Sequence, residues 1–156
     1  MNHLRRLILK GGGAGGVLAC ALAAGVLRPV PAHAAEWNRA AFESKSLADA
    51  LKHIGAAGAA ESADIFIKAP EVAENGAVIP IEVTCRMAGA ESIALLAEKN
   101  PFPLMAQAEL VNGAEGYLNT RFKMGQTSAV KVVVKAGGKH YIASREIKVT
   151  IGGCGG

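Results

Sequence analysis

Between Asp64 and Ile151 the chain falls into short strand-like segments with period-two alternation of apolar and polar residues, cleanest in Val78–Met87, and no other feature restricts its fold as strongly. In the segment Val78–Met87, Ile79, Ile81, Val83 and Cys85 occupy every second position. Successive side chains of a strand point to opposite faces, so this spacing puts four apolar groups on one face and polar ones on the other. Asp64–Lys68, Ile93–Ala97, Leu104–Leu110, Tyr117–Met124, Ala129–Ala136 and Tyr141–Ile151 read as further strands, making about seven. Ala69-Pro70, Asn75-Gly76, the stretch Glu98–Pro103, Gly125 and Gly137-Gly138 supply the breaks between them. Short strands at regular spacing predict a mainly β fold, an antiparallel β-sandwich of immunoglobulin-like architecture. The inter-sheet disulfide of antibody domains has no counterpart here, so the likeness extends to architecture only.

Ahead of the strands, Asn38 to about Ala57 reads as one helix. Phe42, Leu47, Leu51 and Ile54 recur at helical intervals, Ser46 is placed to cap a helix starting at Leu47, and Gly55 and Gly58 end it. Trp37 is expected where this helix meets the sheet. The helix reads as a packing lid without chemistry of its own.

The chain stops on Gly152-Gly153-Cys154-Gly155-Gly156. Glycine has no side chain to pack and loses the most backbone freedom on ordering, so residues 152–156 are expected to form a flexible arm. At its full contour such an arm carries a thiol on the order of 15 Å beyond the last strand. Cys154 therefore offers thiol chemistry in a slim, extended setting: disulfides, the oxidation ladder or a soft metal.

Met1–Ala34 reads as a targeting segment. Arg5-Arg6 followed by apolar residues and Lys10 is the twin-arginine export pattern, and Ala32-His33-Ala34 offers the cleavage site. The mild apolar run Gly11–Leu27 falls short of the roughly 20 residues of a membrane span. Val17-Leu18-Ala19-Cys20 is a loose lipobox in which Leu18 fits poorly. Export to the periplasm is expected, with no membrane attachment after cleavage.

Removal of residues 1–34 takes away four of the 17 Lys+Arg and none of the 13 Asp+Glu. The basic balance of the whole chain thus belongs to its leader and gives no ground for nucleic-acid binding. Roughly 120 residues remain, as residues 35–151 plus the arm, enough for one domain with its own core. Cys20 leaves with the leader, which keeps Cys85 and Cys154. Cys85 lies on the apolar face of a strand and is expected to be buried and inert, although a Cys85–Cys154 bridge stays open.

A self-sufficient thiol enzyme needs a base beside its sulfur. After cleavage the chain holds two histidines, His53 on the helix and His140 in the last hairpin, 14 positions before Cys154. His140 is a candidate neighbour of the arm's root, but the arm's length argues against a fixed pairing. The C-terminal carboxylate two residues away disfavours the thiolate. No ligand spacing for a metal and no phosphate-cradling loop occurs in the exported part. No catalytic residue, cofactor or metal is expected.

The stretch Val149-Thr150-Ile151-Gly152-Gly153-Cys154-Gly155-Gly156 resembles the C-terminus of the SoxY family, the sulfur-substrate carriers of the Sox thiosulfate-oxidation system. Two internal stretches extend the resemblance. Ala69–Pro80 is similar to the family's segment between its first two strands, and Asn100-Pro101-Phe102-Pro103-Leu104 to its proline-rich loop. Both also read simply as turn-makers. The resemblance implies a carrier that is not itself an enzyme, with substrate held on Cys154 and the arm formed by Gly152, Gly153, Gly155 and Gly156. It further implies a heterodimer with SoxZ. SoxAX would load thiosulfate as an S-thiosulfonate, SoxB would release sulfate and leave a persulfide, and SoxCD or a sulfur-storage route would treat the remaining sulfur.

Other readings compete. The sequence also suits an exported immunoglobulin-like structural or adhesive module whose terminal cysteine forms an intermolecular disulfide; a dimer linked through Cys154 stays open for the carrier as well. A copper(I) or redox chaperone would want one more soft ligand. Lys131, Lys135, Lys139, Arg145 and Lys148 on the last strands could steer anions or acidic partners, or simply line a solvated face.

Overall fold

The alternating segments form two stacked sheets. The structure, a computed structural model, describes residues 37–150; the expected leader (1–34) and the arm (152–156) with Cys154 lie outside the described residues. The strands are β1 (Ala60–Glu61), β2 (Ile65–Lys68), β3 (Val72–Ala73), β4 (Ile79–Cys85), β5 (Ala90–Ala97), β6 (Leu104–Glu109), β7 (Tyr117–Phe122), β8 (Ser128–Ala136) and β9 (Lys139–Val149). The larger sheet runs β1-β9-β8-β5-β6, with β3 also paired to β9, and the smaller runs β2-β4-β7. The fold is an immunoglobulin-like β-sandwich, as the alternation predicts.

Seven of these strands are the expected ones. The two additions, β1 and β3, are two residues long and lie parallel to β9 at its opposite ends. Two residues are too few to show any period, so nothing in the sequence marks them.

The core between the sheets follows from the period-two positions. Ile79, Ile81, Val83 and Cys85 of β4 meet Ile93 and Leu95 of β5, Val130, Val132 and Val134 of β8, and Ile147 of β9. Each such side chain taken fully out of water is worth about 1.5–3 kcal/mol. This shared face is what fixes the strand register, because a slip of one residue would turn the whole set to solvent.

The outer face of the larger sheet carries a second cluster, with Ala94, Leu96, Val133 and Leu104 under Ala41, Ala50 and Ala56. The covering segment is not the single helix the spacing predicts. It is α1 (Arg39–Phe42) and α2 (Leu47–His53), separated by a corner. Serine hydroxyls compete with the backbone for its hydrogen bonds and so break helices. Here Ser44 Oγ donates to Ala40 O at 2.7 Å and lies within hydrogen-bond distance of His53 Nδ1 at 2.9 Å. Ser46 Oγ then accepts from Asp49 N at 3.1 Å as the cap of α2. His53 is thereby committed to the corner. Trp37 departs from expectation too. It is 62 % exposed and stacks on Phe42, with Arg39 over its ring, rather than meeting the sheet.

Candidate functional site

The candidate attachment residue Cys154 and the arm glycines Gly152, Gly153, Gly155 and Gly156 lie outside the described residues. The structure does define the base from which that segment departs, at the end of β9. β9 closes on Val149, and the chain is held on two sides there. On one side β3 pairs with it: Lys148 N donates to Glu71 O at 2.9 Å and Thr150 N to Ala73 O at 3.1 Å. On the other, Thr127 Oγ1 accepts from Val149 N at 2.9 Å and donates to Val149 O at 3.5 Å. Backbone groups at a strand end would otherwise go to water, so this clamp carries the sheet's order out to Thr150.

Three loops surround that point because β4 begins, β5 and β7 end and β8 begins at the same end of the sandwich. They are residues 74–78, 98–103 and 123–127. Gly76 lies beneath the clamp, where a Cβ would collide with the Met124 carbonyl oxygen and stand 2.9 Å from Val149 Cγ1. Met124 N donates to Gly76 O at 2.8 Å, which ties the first loop to the third. Asn100 Nδ2 donates to Lys123 O at 2.8 Å, Gln126 Nε2 to Lys99 O at 3.3 Å and Lys99 N to Ser128 Oγ at 3.0 Å, which ties the second to the third. The three loops therefore form one cross-braced rim around Thr150.

This arrangement brings together the two internal stretches singled out in the sequence, Ala69–Pro80 and Asn100–Leu104. Each does make a turn, and each turn also belongs to the rim. Thr127 gave no sequence signal, since a threonine ahead of a strand is ordinary and its partner is 22 residues away. The Gly76 contact was likewise invisible, because Asn75-Gly76 is fully accounted for as a turn.

His140 is placed far from the site. It sits at the β8–β9 turn, paired with Lys135, at the opposite end of an 11-residue strand. Ten residues of strand put it roughly 30 Å from Thr150, so it is no neighbour of the arm's root. Cys85 is buried and free, at the end of β4 remote from the rim. Arg145 Nη1 reaches Ile67 O, whose residue pairs with Val83, which sets Cys85 about 20 Å below Thr150. Four residues of chain reach at most about 14 Å, so a Cys85–Cys154 bridge, which needs Cα atoms within about 7 Å, would take nearly the whole contour drawn straight back toward the buried Cys85.

The basic residues of the last strands do not share a face. Lys131, Lys135 and Lys148 point outward with Val133 and Ile142, whereas Lys139 and Arg145 lie in register with the core-facing Tyr141 and Ile147. Lys135 is already engaged by Glu91 at 2.6 Å. That contact, with Gly138 N also donating to the carboxylate, lowers the Glu91 pKa, and the same Glu91 hydrogen bond raises that of Lys135. Among the described residues no group of three or more His, Cys, Asp or Glu is arranged to hold a metal, and no helix is long and apolar enough to cross a membrane.

Residues 51–154 match the family model described as sulfur oxidation protein SoxY. The chain belongs to the SoxY family. The match spans the last turn of α2, the whole sandwich and Cys154 itself. Among solved structures, the sulfur carrier protein SoxY from Chlorobium limicola f thiosulfatophilum aligns at 38 % identity and TM-score 0.62, over 70 % of this chain and 96 % of that one. A structure concerned with T cell activation by the bacterial superantigen toxic shock syndrome toxin-1 aligns at 13 % identity and TM-score 0.40, over 55 % of this chain and 99 % of that one, values too low to bear on fold or function. No curated protein sequence matches the chain. Family membership makes this a sulfur-oxidation carrier whose partners belong to the Sox system.

Proposed function

We propose that the protein carries sulfur intermediates of thiosulfate oxidation covalently on Cys154, works in the periplasm after twin-arginine export, and pairs with SoxZ. The observation that carries this reading is the extent of the family match, which runs through residue 154 and so includes the thiol. In the cycle implied by the resemblance, the Cys154 thiol and thiosulfate join through a new S–S bond. The products are an S-thiosulfonate, one proton and two electrons, and the haem enzyme SoxAX takes the electrons. SoxB then adds water across the outer S–S bond, releasing sulfate and a proton and leaving the Cys154 persulfide. SoxCD or a sulfur-storage route takes up the remaining sulfane sulfur. The carrier itself supplies no acid, base or metal to these steps. Its contribution is tethering, which replaces free diffusion of the intermediate with a high local concentration at each partner.

Intact-mass spectrometry of the periplasmic protein from cells grown with and without thiosulfate tests the reading. The carrier shows adducts of about +112 Da (thiosulfonate) or about +32 Da (persulfide), located on Cys154. Cys154→Ser removes both and leaves the melting curve unchanged. Thiosulfate-independent disulfide dimers as the sole modification would point instead to a structural module.

A further inference from the structure

The rim around Thr150 faces whatever acts on Cys154, and the length of the remaining chain fixes how closely. Four residues separate Thr150 from Cys154, and at full contour they span about 14 Å. A protein that takes the sulfur into its own pocket must bring the mouth of that pocket within this distance of Thr150. Even a transient complex covers roughly 600 Å² on each partner, a patch of about 14 Å radius. The 98–103 loop lies between two and three strands from β9, a lateral offset of about 10–14 Å. The 74–78 loop is closer still, since Gly76 packs under Val149. A footprint centred on the arm's departure point therefore covers both loops.

The rim is built to be met by a protein surface. Phe102 is 51 % exposed and Val78 53 % exposed, one in each loop, although neither strand register nor core packing requires an apolar residue there. Pro101 and Pro103 flank Phe102 and hold it with little freedom left to lose on binding. The loops are cross-braced through Asn100, Gln126 and Gly76, so their spacing is set before a partner arrives. Their charges are mixed, with Glu74 and Glu98 against Lys99 and Lys123, and so do not select a partner by sign.

We propose that this rim is a docking collar shared by the enzymes that process the Cys154-bound sulfur, with Val78 and Phe102 as its apolar contacts and the apolar margin of each enzyme's pocket mouth as their occupant. The inference rests on the carrier reading above and adds to it a fixed recognition surface on the sandwich. A short arm alone gives a partner very little area to hold. The collar supplies that area within the reach of the sulfur, and different pockets can use it in turn.

The test uses the full-length carrier expressed in its native host in place of the chromosomal copy. Val78→Ser, Phe102→Ser and the double variant are compared with wild type, and Val111→Ser serves as control. Val111 is 65 % exposed, but it lies in the β6–β7 loop at the opposite end of the sandwich. Starved cells receive thiosulfate, and the initial rate at which the Cys154 adduct appears is read by intact mass. Alkylation of Cys154 by iodoacetamide, the melting midpoint and co-purification with SoxZ report the thiol, the fold and the heterodimer of each variant, and a rim variant that loses SoxZ overturns the collar by making the rim part of that interface. The double variant is expected to load at least about tenfold more slowly, since truncating even one interface anchor brings a loss of that order. Val111→Ser should load, and every variant should alkylate, at the wild-type rate. If the double variant melts early, the single variant with the wild-type midpoint carries the comparison. Loading of the rim variants at the wild-type rate overturns the collar while leaving the carrier intact. Absence of any adduct on the wild-type protein overturns the carrier reading, and the collar with it.

Discussion

The two ends of β9 solve the same problem differently. At Lys139 the strand enters from a tight turn, Gly137-Gly138, whose two residues sit at φ +56° and +74°. That end is local: the turn joins two strands that are already neighbours, and its extra ties are the Lys135–Glu91 pair and the Glu91–Gly138 hydrogen bond at the surface. At Val149 the strand is tied otherwise. It is held instead by β3, by Thr127 and by the packing of Gly76, groups brought from 22 to more than 70 residues away. An end made by a turn needs only its own residues, whereas the end at Val149 draws on distant parts of the fold to stop it fraying.

Substitutions at the two ends should separate accordingly. Gly76→Ala is expected to have the largest effect, because its Cβ meets a backbone carbonyl that cannot swing aside. A loss of about 2–4 kcal/mol is anticipated, read as a fall in the urea midpoint with the slope unchanged. Thr127→Val comes next. It keeps the shape, removes the hydroxyl that both accepts from and donates to Val149, and should cost about 1–2 kcal/mol. Amide exchange at Val149 and Thr150 should rise while exchange in β8 stays slow. Gly137→Ala should cost about 1 kcal/mol, from the positive φ alone, since nothing stands near its Cβ position. It should leave Val149 exchange untouched; acceleration there would mean that the two ends are coupled through β9 after all.

Glu91→Gln should be the mildest change. Both partners of the pair are substantially exposed, so its removal should barely shift the melting midpoint, and added salt should erase what shift there is. The pH dependence has a defined sign. The Glu91 pKa is lowered by its hydrogen bonds to Lys135 and Gly138, so its contribution is complete above the ordinary carboxylate range and is lost as pH falls through the lowered value. The Lys135 pKa is raised by the same pair, so its contribution is complete below the ordinary lysine range and is lost as pH rises through the raised value. Wild type and Glu91→Gln should therefore differ most at intermediate pH and converge at both extremes.

Much of this molecule was legible in one dimension. Ile79, Ile81, Val83 and Cys85 announce a strand with one buried face because a side-chain period of two is a local property of the backbone. Ser46 announces a helix cap for the same kind of reason, and the terminal Gly-Gly-Cys-Gly-Gly announces its family because five particular residues at a chain end are seldom met by chance. The corner at Ser44 was missed because its cause is a side chain folding back on Ala40 and meeting His53, a contact that no spacing rule records. The pairing of β3 with β9, the clamp of Thr127 on Val149, the fit of Gly76 beneath it and the gathering of Val78 and Phe102 around one point were decided only by the tertiary structure. Each joins residues that the chain keeps far apart, and what brings them together is the packing of two sheets. A pattern read along the chain shows which face of a strand is buried, but not which distant loop will stand beside its end.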